Sequence, residues 1–516
     1  MKNFIYILHI IIASLFFASC EDEGSIILGD NEPCYTILVS APNVSDTRAY
    51  YKEDGENIAV EWENGDVVIL DDGNQKYSFV FKKMSGNNGE FYHYGAIENA
   101  GGWTGTVSFG SDPGTTAQTQ KKNNVCGEYL KANATRINLN NKPTISLLPA
   151  DNNSLIHIQT KSPAMFVGGS VLKIKGLDQN NVYTVTLGNN PEYVFADQGD
   201  MLDIYVAVPA GKTISNGTAL KFYFYSYDVV TGSAETGDEF HYYMKCNAAI
   251  TTANNEVVKM TLPNKPTHTA IQLGLGVKWA TMNIGATSDQ PGEASFGKYL
   301  PWGMTEEHYE YAWEDPNLSM LYRKTDEELM DVFGDNFSGS IQGIKPREYM
   351  GDTYGDPATC LWGDDWVIPT RNQMEELMNQ MKNTKEQGAK FTDWVEWADK
   401  NVVVTHVKTN GCYVYGKNAY SNKKVWFPAA GGVHSKKRGT PESPASNDGC
   451  NGVYMIATTA LTSDGKFPGC YVYTFNGQVK DGSAGDFAIG CHNKSHGYSF
   501  DTRIHGCSVR PIRKPN

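Results

Sequence analysis

The residue types that most often perform chemistry occur in this chain without the spacing that catalysis requires. The sequence has no Gly-x-Ser-x-Gly nucleophile elbow, no His-Glu-x-x-His zinc pair and no glycine-rich phosphate loop. Each of these patterns holds a nucleophile, a metal or a phosphate at a fixed distance from its partners. We therefore expect no enzymatic activity, no catalytic residue and no cofactor.

The nearest approach to a metal site lies close to the C-terminus, at Cys491, His492, His496, His505 and Cys507. Thiolate and imidazole groups are the ligands that zinc prefers, but this spacing matches no standard zinc motif. In an oxidising compartment such cysteines form disulfides more often than metal sites. The sequence has ten cysteines. If one of them carries a lipid, an odd number remains for disulfide bonds, and at least one thiol stays free. We predict no metal site.

Acidic residues set two further expectations. Asp364 and Asp365 supply oxygen ligands of the kind that calcium prefers, although a solvated loop is the interpretation we favour. The whole chain carries a formal net charge of −14. Because a nucleic-acid partner needs a basic surface to neutralise its phosphates, we expect none.

The N-terminus has the layout of a secretory signal peptide. Lys2 precedes an apolar run at 4–18, which is too short to span a membrane comfortably. The residues FASC at 17–20 resemble a bacterial lipobox, with Phe17 where leucine is usual. The resemblance implies a signal peptide at 1–19 and a lipidated linker at 20–34. Cys20 would carry diacylglycerol and a further acyl chain such as palmitate, the second lipid that stable anchoring requires.

An ordinary signal peptide with a chance cysteine is the alternative. The acidic tract at 21–23 resembles those that follow the lipid cysteine in surface-exported lipoproteins of Bacteroidetes. We therefore expect the protein at the cell surface, anchored in the outer membrane through its lipid alone.

Short strands are predicted along the first half of the chain. Runs rich in β-branched and aromatic residues recur at regular spacing, with turn residues between them, which is typical of β-sandwiches. They occupy residues 35–40, 77–81, 105–109, 145–148, 155–158, 171–174, 182–187, 202–208, 220–227, 240–244 and 257–262. An Asn64-Gly65 step predicts a hairpin between 58–62 and 66–70. The polar stretch 115–124 indicates an exposed loop.

Within this half, WENGDVVIL at 62–70, downstream of TRA at 47–49, resembles fimbrillin-like proteins of Bacteroidetes. That family consists of lipoprotein precursors of surface pili with two tandem transthyretin-like β-sandwiches, which would occupy 35–143 and 144–262. The resemblance implies proteolytic processing after Arg48 and a groove that accepts a donor strand from another pilus subunit. The alternative is that Arg48 is a plain turn residue in a retained N-terminus.

Composition changes at 263–267, where two prolines flank a polar linker. Beyond it, LGLGVKWAT at 273–281, NIGA at 283–286, GKYLPWG at 297–303, WGDDWVIPT at 362–370, FPAAG at 427–431 and GCSVRP at 506–511 follow one another. They resemble, in order, motifs of the Fibrobacter succinogenes major paralogous domain. That resemblance implies an α+β fold like that of C-type lectins over 268–516, with GVYMIA at 452–457 departing from the family pattern. A capping-box pattern at Thr370 and Gln373 predicts a helix whose apolar face starts at Met374 and Leu377.

Eight of the ten tryptophans lie in this last segment. We expect those in the motifs, Trp279, Trp302, Trp362 and Trp366, to be buried. The remaining four are candidates for an exposed binding surface, because an exposed indole can stack on a sugar or anchor a protein partner: Trp313, Trp394, Trp397 and Trp426. Trp394 and Trp397 would share one face of a helix, or alternatively both point inward.

These observations favour a non-enzymatic surface lipoprotein of three domains. Its expected role is that of a pilus-associated subunit, at the tip or as an anchor, whose C-terminal domain binds glycan or a host or cell-surface protein. One alternative is a nutrient-glycan-binding lipoprotein without a pilus. The other is an enzyme related to the formylglycine-generating proteins, which share the C-type-lectin-like fold.

Overall fold

The computed structural model describes residues 34–40, 52–53, 56–57, 62, 65–110, 115–120, 130–149, 152–188, 190–307, 325–382, 392–396, 409–428, 430, 432–433, 451–461, 468–476, 490–491 and 506–515. Strands dominate these residues, so the prediction of a β-rich protein of several parts is confirmed. We refer below to an N-terminal region (34–149), a middle region (152–262) and a C-terminal region (268–515).

The N-terminal region contains β1 (Cys34–Ser40), β2 (Lys52–Glu53), β3 (Glu56–Asn57), β4 (Val67–Asp71), β5 (Lys76–Ser85), β6 (Asn88–Tyr94), β7 (Trp103–Phe109), β8 (Ala117–Gln120), β9 (Leu130–Ile137), β10 (Thr144–Ser146) and β11 (Leu148–Pro149). The middle region contains β12 (Asn153–Lys161), β13 (Phe166–Val167), β14 (Ser170–Lys175), β15 (Tyr183–Leu187), β16 (Val194–Ala196), β17 (Met201–Pro209), β18 (Thr213–Ile214), β19 (Ala219–Tyr225), β20 (Glu239–Lys245), β21 (Ile250–Thr251) and β22 (Val257–Thr261).

The C-terminal region contains β23 (His268–Ile271), β24 (Trp279–Ala280), β25 (Tyr299–Leu300), β26 (Arg347–Tyr349), β27 (Asp352–Tyr354), β28 (Trp366–Val367), β29 (Thr392–Glu396), β30 (Thr409–Tyr415), β31 (Lys424–Pro428), β32 (Gly432–Val433), β33 (Asn451–Leu461), β34 (Pro468–Asn476), β35 (Gly490–Cys491), β36 (Gly506–Ser508) and β37 (Ile512–Arg513). Its described helices are α1 (Asp326–Phe333), α2 (Pro357–Trp362) and α3 (Arg371–Lys382).

The first sheet has the strand order β10-β1-β6-β5-β4-β7-β9-β11. β10 pairs with β1, and the chain continues directly into β11, which pairs with β9 at the opposite end of the sheet. The short segment 144–149 therefore covers both outer strands. Residues 144–149 fall within the predicted second sandwich, but they pair with the first sheet because its two outer strands need partners for their backbone groups.

The hairpin predicted at Asn64-Gly65 cannot be followed as a whole in the described residues, because its first strand at 58–62 is described only at Trp62. β4, its second strand, pairs with β5 on one side and, over residues 69–71, with β7 on the other. The turn that leads into β5 is built on Asp72, whose Oδ1 accepts the backbone N–H groups of Asn74 and Gln75 at 2.8 and 2.7 Å.

Two sheets share one core in the middle region. A nine-stranded sheet has the order β28-β37-β24-β23-β20-β19-β14-β15-β8, and a three-stranded sheet has the order β17-β12-β22. Alternate residues of β14, β19 and β20 point into the shared core with side chains of β12 and β17, among them Leu172, Phe222, Phe224, Ile158 and Ile204. The nine-stranded sheet contains strands of all three regions, and the pairing of β20 with β23 crosses the predicted linker at 263–267.

The polar stretch 115–124, predicted as an exposed loop, contains the half-buried strand β8. Its backbone pairs in parallel with β15. Its two glutamine amides reach the free edge of β17: Gln118 exchanges two hydrogen bonds with the backbone of Ala207, at 2.7 and 2.9 Å. Gln120 accepts from the N–H of Tyr205 at 2.7 Å and donates to the carbonyl of Asp203 at 2.9 Å. The side chains thus replace a neighbouring strand.

In the C-terminal region the buried carboxylate of Asp356 joins three segments. It accepts backbone N–H groups from Gly343, from Ala358 and Thr359 at the start of α2, and from Ile368 after β28. Burial raises the pKa of Asp356 to about 7, against the lowering effect of these donors. The predicted capping box at α3 is confirmed, since the backbone N–H of Thr370 donates to Gln373 Oε1 at 2.8 Å.

Replacing both Gln118 and Gln120 by alanine should lower the free energy of unfolding of the middle region by roughly 4 kcal/mol, about 1 kcal/mol for each hydrogen bond to β17. Urea denaturation of the full chain measures this loss, with proteolysis within the middle region as the signal for its unfolding. Thr119→Ala is the matched control, because Thr119 lies on the same strand and is exposed. Equal stability of the control and the double variant would contradict the bridging role of β8.

Candidate functional site

β1 is a half-buried strand that precedes the other strands of the first sheet in the chain. It pairs with β6 from Cys34 opposite Tyr94 to Val39 opposite Gly89. On its other side it pairs with β10. Its alternation places Ile37 and Val39 in the core, where neither side chain is accessible to solvent. We call the space that β1 occupies between β6 and β10 the β1 slot.

One end of the β1 slot is shaped by Trp62, the first residue of the motif that carries the fimbrillin resemblance. Its ring packs edge-on against Phe91 and Phe109, with centroid separations of 5.0 and 4.9 Å. Gly89, the partner of Val39 across the β1–β6 pair, lies directly beside this ring. A Cβ at Gly89 would lie 2.9 Å from the indole, so glycine is needed for the close approach.

A second candidate site is the contact between the middle and C-terminal regions, where the outer face of β19 and β20 is covered. Glu239 lies at its centre and is almost inaccessible. It accepts hydrogen bonds from Lys278 at 2.7 Å and from Arg513 at 2.6 Å, and its Oε2 lies 3.0 Å from Nε2 of His241. Burial would raise the pKa of Glu239, but the His241 hydrogen bond and the two cations outweigh it and lower it to about 2.

Asp365 forms the second ionic contact between these regions. It accepts a hydrogen bond of 2.6 Å from the hydroxyl of Tyr223, and Lys221 and Lys175 lie at 3.6 and 3.8 Å. This hydrogen bond and the cations, Arg513 first, overcome the effect of burial and hold the pKa of Asp365 below its usual value. The solvated loop predicted for Asp364 and Asp365 is therefore wrong for Asp365, although Asp364 is exposed beside Lys345. No group of metal ligands forms among the described residues.

Aromatic rings fill the rest of this contact. His268 stacks on Trp362 with ring centroids 3.9 Å apart and meets Trp366 and Tyr243 edge-on. Its Nδ1 is buried without a hydrogen-bond partner. Burial lowers the pKa of His268 to about 3, with a smaller contribution from the nearby His241, whose own pKa burial also lowers.

The tryptophans predicted to form a binding surface do not come together in the described structure. Trp426 is buried, because both faces of β31 are covered and its indole N–H donates to Ser295 Oγ at 3.0 Å. The prediction that Trp426 is exposed is therefore wrong. Trp394 lies on strand β29 and not on a helix. The motif residues Trp279, Trp302 and Trp366 are fully buried, as predicted, and Trp362 is partly buried.

Several predicted residues lie outside the part of the chain that the structure describes. These are the lipidation residue Cys20, the processing residue Arg48, the tryptophans Trp313 and Trp397, and His492, His496 and His505 of the weighed zinc site. Cys507 is buried in the core of the C-terminal region. Cys34, Cys246 and Cys360 carry free thiols, which agrees with the expectation of at least one. None of the described helices is long and apolar enough to span a membrane.

The ionic contact around Glu239 is not among the features predicted from the sequence. In β20 the polar residues Glu239, His241 and Tyr243 alternate with apolar ones, which indicates a polar outer face. A polar strand face normally meets water. Only the position of β37, far away in sequence, shows that this face is covered.

Comparison with known proteins identifies no family. No family model matches the chain, and no curated protein matches it. Among solved structures, a leucine-rich repeat protein from Bacteroides thetaiotaomicron is 8% identical with a TM-score of 0.16, over 45% of this chain and 27% of that chain. A candidate cell adhesion protein from Bacteroides uniformis is 14% identical with a TM-score of 0.19, over 45% of this chain and 94% of that chain. Similarities this low carry no conclusion about function.

The buried histidines predict how stability depends on pH. An unfolded histidine takes up a proton below about pH 6.5, whereas folded His268 stays neutral down to about pH 3, so stability falls as the pH drops through this range. Between pH 6.5 and pH 5 the loss from His268 alone is about 2 kcal/mol. Urea titrations of the wild type and His268→Phe at pH 7.5, 6 and 5 should show a shallower pH dependence in the variant. Identical dependence would contradict a neutral buried His268.

Proposed function

We propose that this protein is a non-enzymatic lipoprotein of the outer cell surface that joins a pilus or similar assembly by strand exchange. In this proposal Cys20 carries the lipid, a protease cuts after Arg48, and a strand from another subunit replaces β1 in its slot. The C-terminal region then contacts a glycan or a cell-surface protein. The protein serves as a subunit that presents this region at the surface.

A single observation carries the proposal: β1 lies inside the first sheet, paired on both sides, and it belongs to the segment upstream of Arg48. It completes a sheet through two backbone pairings and two fully buried side chains, Ile37 and Val39. Burying those two side chains contributes on the order of 4 kcal/mol. Strand addition of this kind draws affinity from main-chain hydrogen bonds and specificity from alternate side chains.

The order of residues along the chain adds a second support. Cys20 and β1 both precede Arg48, so a single cut after Arg48 would release the lipid and free β1 from covalent attachment. The chain that follows the cut remains held, since β2 lies beside β22 of the middle region. The lipid-anchored form would therefore keep its slot filled, and only the cut form would accept a partner strand.

The fold that we propose beneath this function is more specific than a β-rich chain. The N-terminal and middle regions would be two transthyretin-like β-sandwiches, and the C-terminal region would be an α+β domain like that of C-type lectins. Supporting features are the two sheets around one middle-region core and the burial of three motif tryptophans in the C-terminal region. An experimental structure of the cut form with a bound strand would decide between this fold and another β arrangement.

The processing step and the strand exchange can be tested separately. Treating the mature protein with an arginine-specific protease should give a chain that begins at Ala49, read by N-terminal sequencing, while Arg48→Ala should resist this cut. Arg136→Ala is the matched control, because Arg136 is an exposed arginine elsewhere in the first sheet. A mature surface protein that still begins at Cys20 in cells would contradict processing.

For strand exchange, the cut chain is freed of its own strand and mixed with a labelled peptide of residues 34–40. Binding should be at least about tenfold weaker for a peptide that carries Ile37→Asp and Val39→Asp, because charges would enter the apolar core. Fluorescence anisotropy measures both affinities. Equal affinity of the two peptides would mean that binding does not depend on the side chains at positions 37 and 39, and the proposal would fail.

A further inference from the structure

The described part of the C-terminal region contains an open cleft of about 490 Å³ between the end of α1 and the start of β26. Its size lies within the range of small-molecule sites. The residues that line it come from two short stretches of chain, 330–335 and 347–349: Met330, Asp331, Gly334, Asp335, Arg347 and Tyr349.

The walls of this cleft are built on fixed elements. α1 begins with a capping box between Thr325 and Glu328, and its apolar face packs in the core with Trp302. It ends at Gly334, whose left-handed φ of 87° closes the helix and brings its N–H to the carbonyl of Met330. β26 is paired with β27, and Arg347 donates to that same carbonyl. A site on such elements needs little reorganisation when a ligand binds.

The residues that line the cleft provide hydrogen-bond donors, hydrogen-bond acceptors and an apolar surface. The carboxylates of Asp331 and Asp335 accept hydrogen bonds, and the guanidinium of Arg347 donates them. Within the described residues, none of these three side chains forms a salt bridge. Arg347 uses Nη1 toward the carbonyl of Met330, and its other N–H groups remain for a ligand. Tyr349 adds a half-buried ring, held edge-on by Tyr354 at a centroid separation of 6.3 Å.

We propose that this cleft binds a saccharide, with its hydroxyl groups on Asp331, Asp335 and Arg347 and a C–H face against Tyr349. A sugar suits this lining because each hydroxyl both donates and accepts, while the ring carbons present an apolar face. The inference rests on the surface role proposed above and names the site that performs the contact. It also places the contact away from Trp426, which is buried.

The charge of the lining narrows the class of saccharide. Two carboxylates and one guanidinium give the cleft a net negative charge, and the whole chain carries −14. An acidic sugar would meet repulsion at the site and from the surrounding surface. We therefore assign the cleft to neutral or amine-bearing saccharides and expect acidic ones to be rejected.

The test uses the full mature chain on an array of neutral, amine-bearing and acidic oligosaccharides, followed by titration calorimetry with the best ligand. Tyr349→Ala should weaken binding roughly tenfold, and Asp331→Asn by a similar factor, because each loses one principal contact. Tyr349→Phe keeps the ring and should bind nearly as the wild type does. Tyr193→Ala is the matched control, since Tyr193 is an exposed tyrosine of the middle region. Thermal melting confirms that each variant is folded.

Three outcomes would overturn the inference: no binding to any saccharide, a preference for acidic ligands, or wild-type affinity in folded Tyr349→Ala. None of them bears on the β1 slot, which the strand-peptide experiment tests in the absence of sugar. If the strand peptide does not bind but the sugar does, the proposed assembly role is wrong. The cleft then remains a saccharide-binding site.

Discussion

The constraint on which this structure depends is that a β-strand with an open edge must find a partner for its backbone groups. This chain satisfies that constraint with segments that are far apart in sequence. β10 and β11 complete the two outer strands of the first sheet within six residues of chain. Gln118 and Gln120 cover the edge of β17, and β23 continues the sheet beyond β20. Each completed edge ties two distant parts of the chain together.

A consequence is that the regions are joined by more than linkers. The nine-stranded sheet runs from β8 of the N-terminal region to β28 and β37 of the C-terminal region. Its outer face carries Glu239, desolvated and held by Lys278 and Arg513. Replacing both cations by neutral residues would leave a buried charge uncompensated, which costs about 3–5 kcal/mol. The two regions are therefore joined by ion pairs as well as by the shared sheet.

Periodicity predicted most strands, because each half-buried strand must alternate apolar and polar residues. β1, β14 and β15 are examples. Periodicity did not predict β8. This strand is polar because the side chains of Gln118 and Gln120, and not a neighbouring backbone, form the hydrogen bonds to the edge of β17. Trp426 was misjudged because nothing local shows that both faces of β31 are covered. The cleft beside α1 joins residues from two stretches that only folding brings together.

The proposed strand exchange depends on β1 closing the first sheet between β6 and β10. Amide hydrogen exchange followed by mass spectrometry measures this dependence on the intact chain and on a chain that begins at residue 49 with β1 removed. We expect β6 and β10 to lose protection in the shortened chain, because their backbone groups toward the slot have no partner. β20 and β23, in the shared sheet, should stay protected. Unchanged protection of β6 without β1 would show that β1 does not close the sheet.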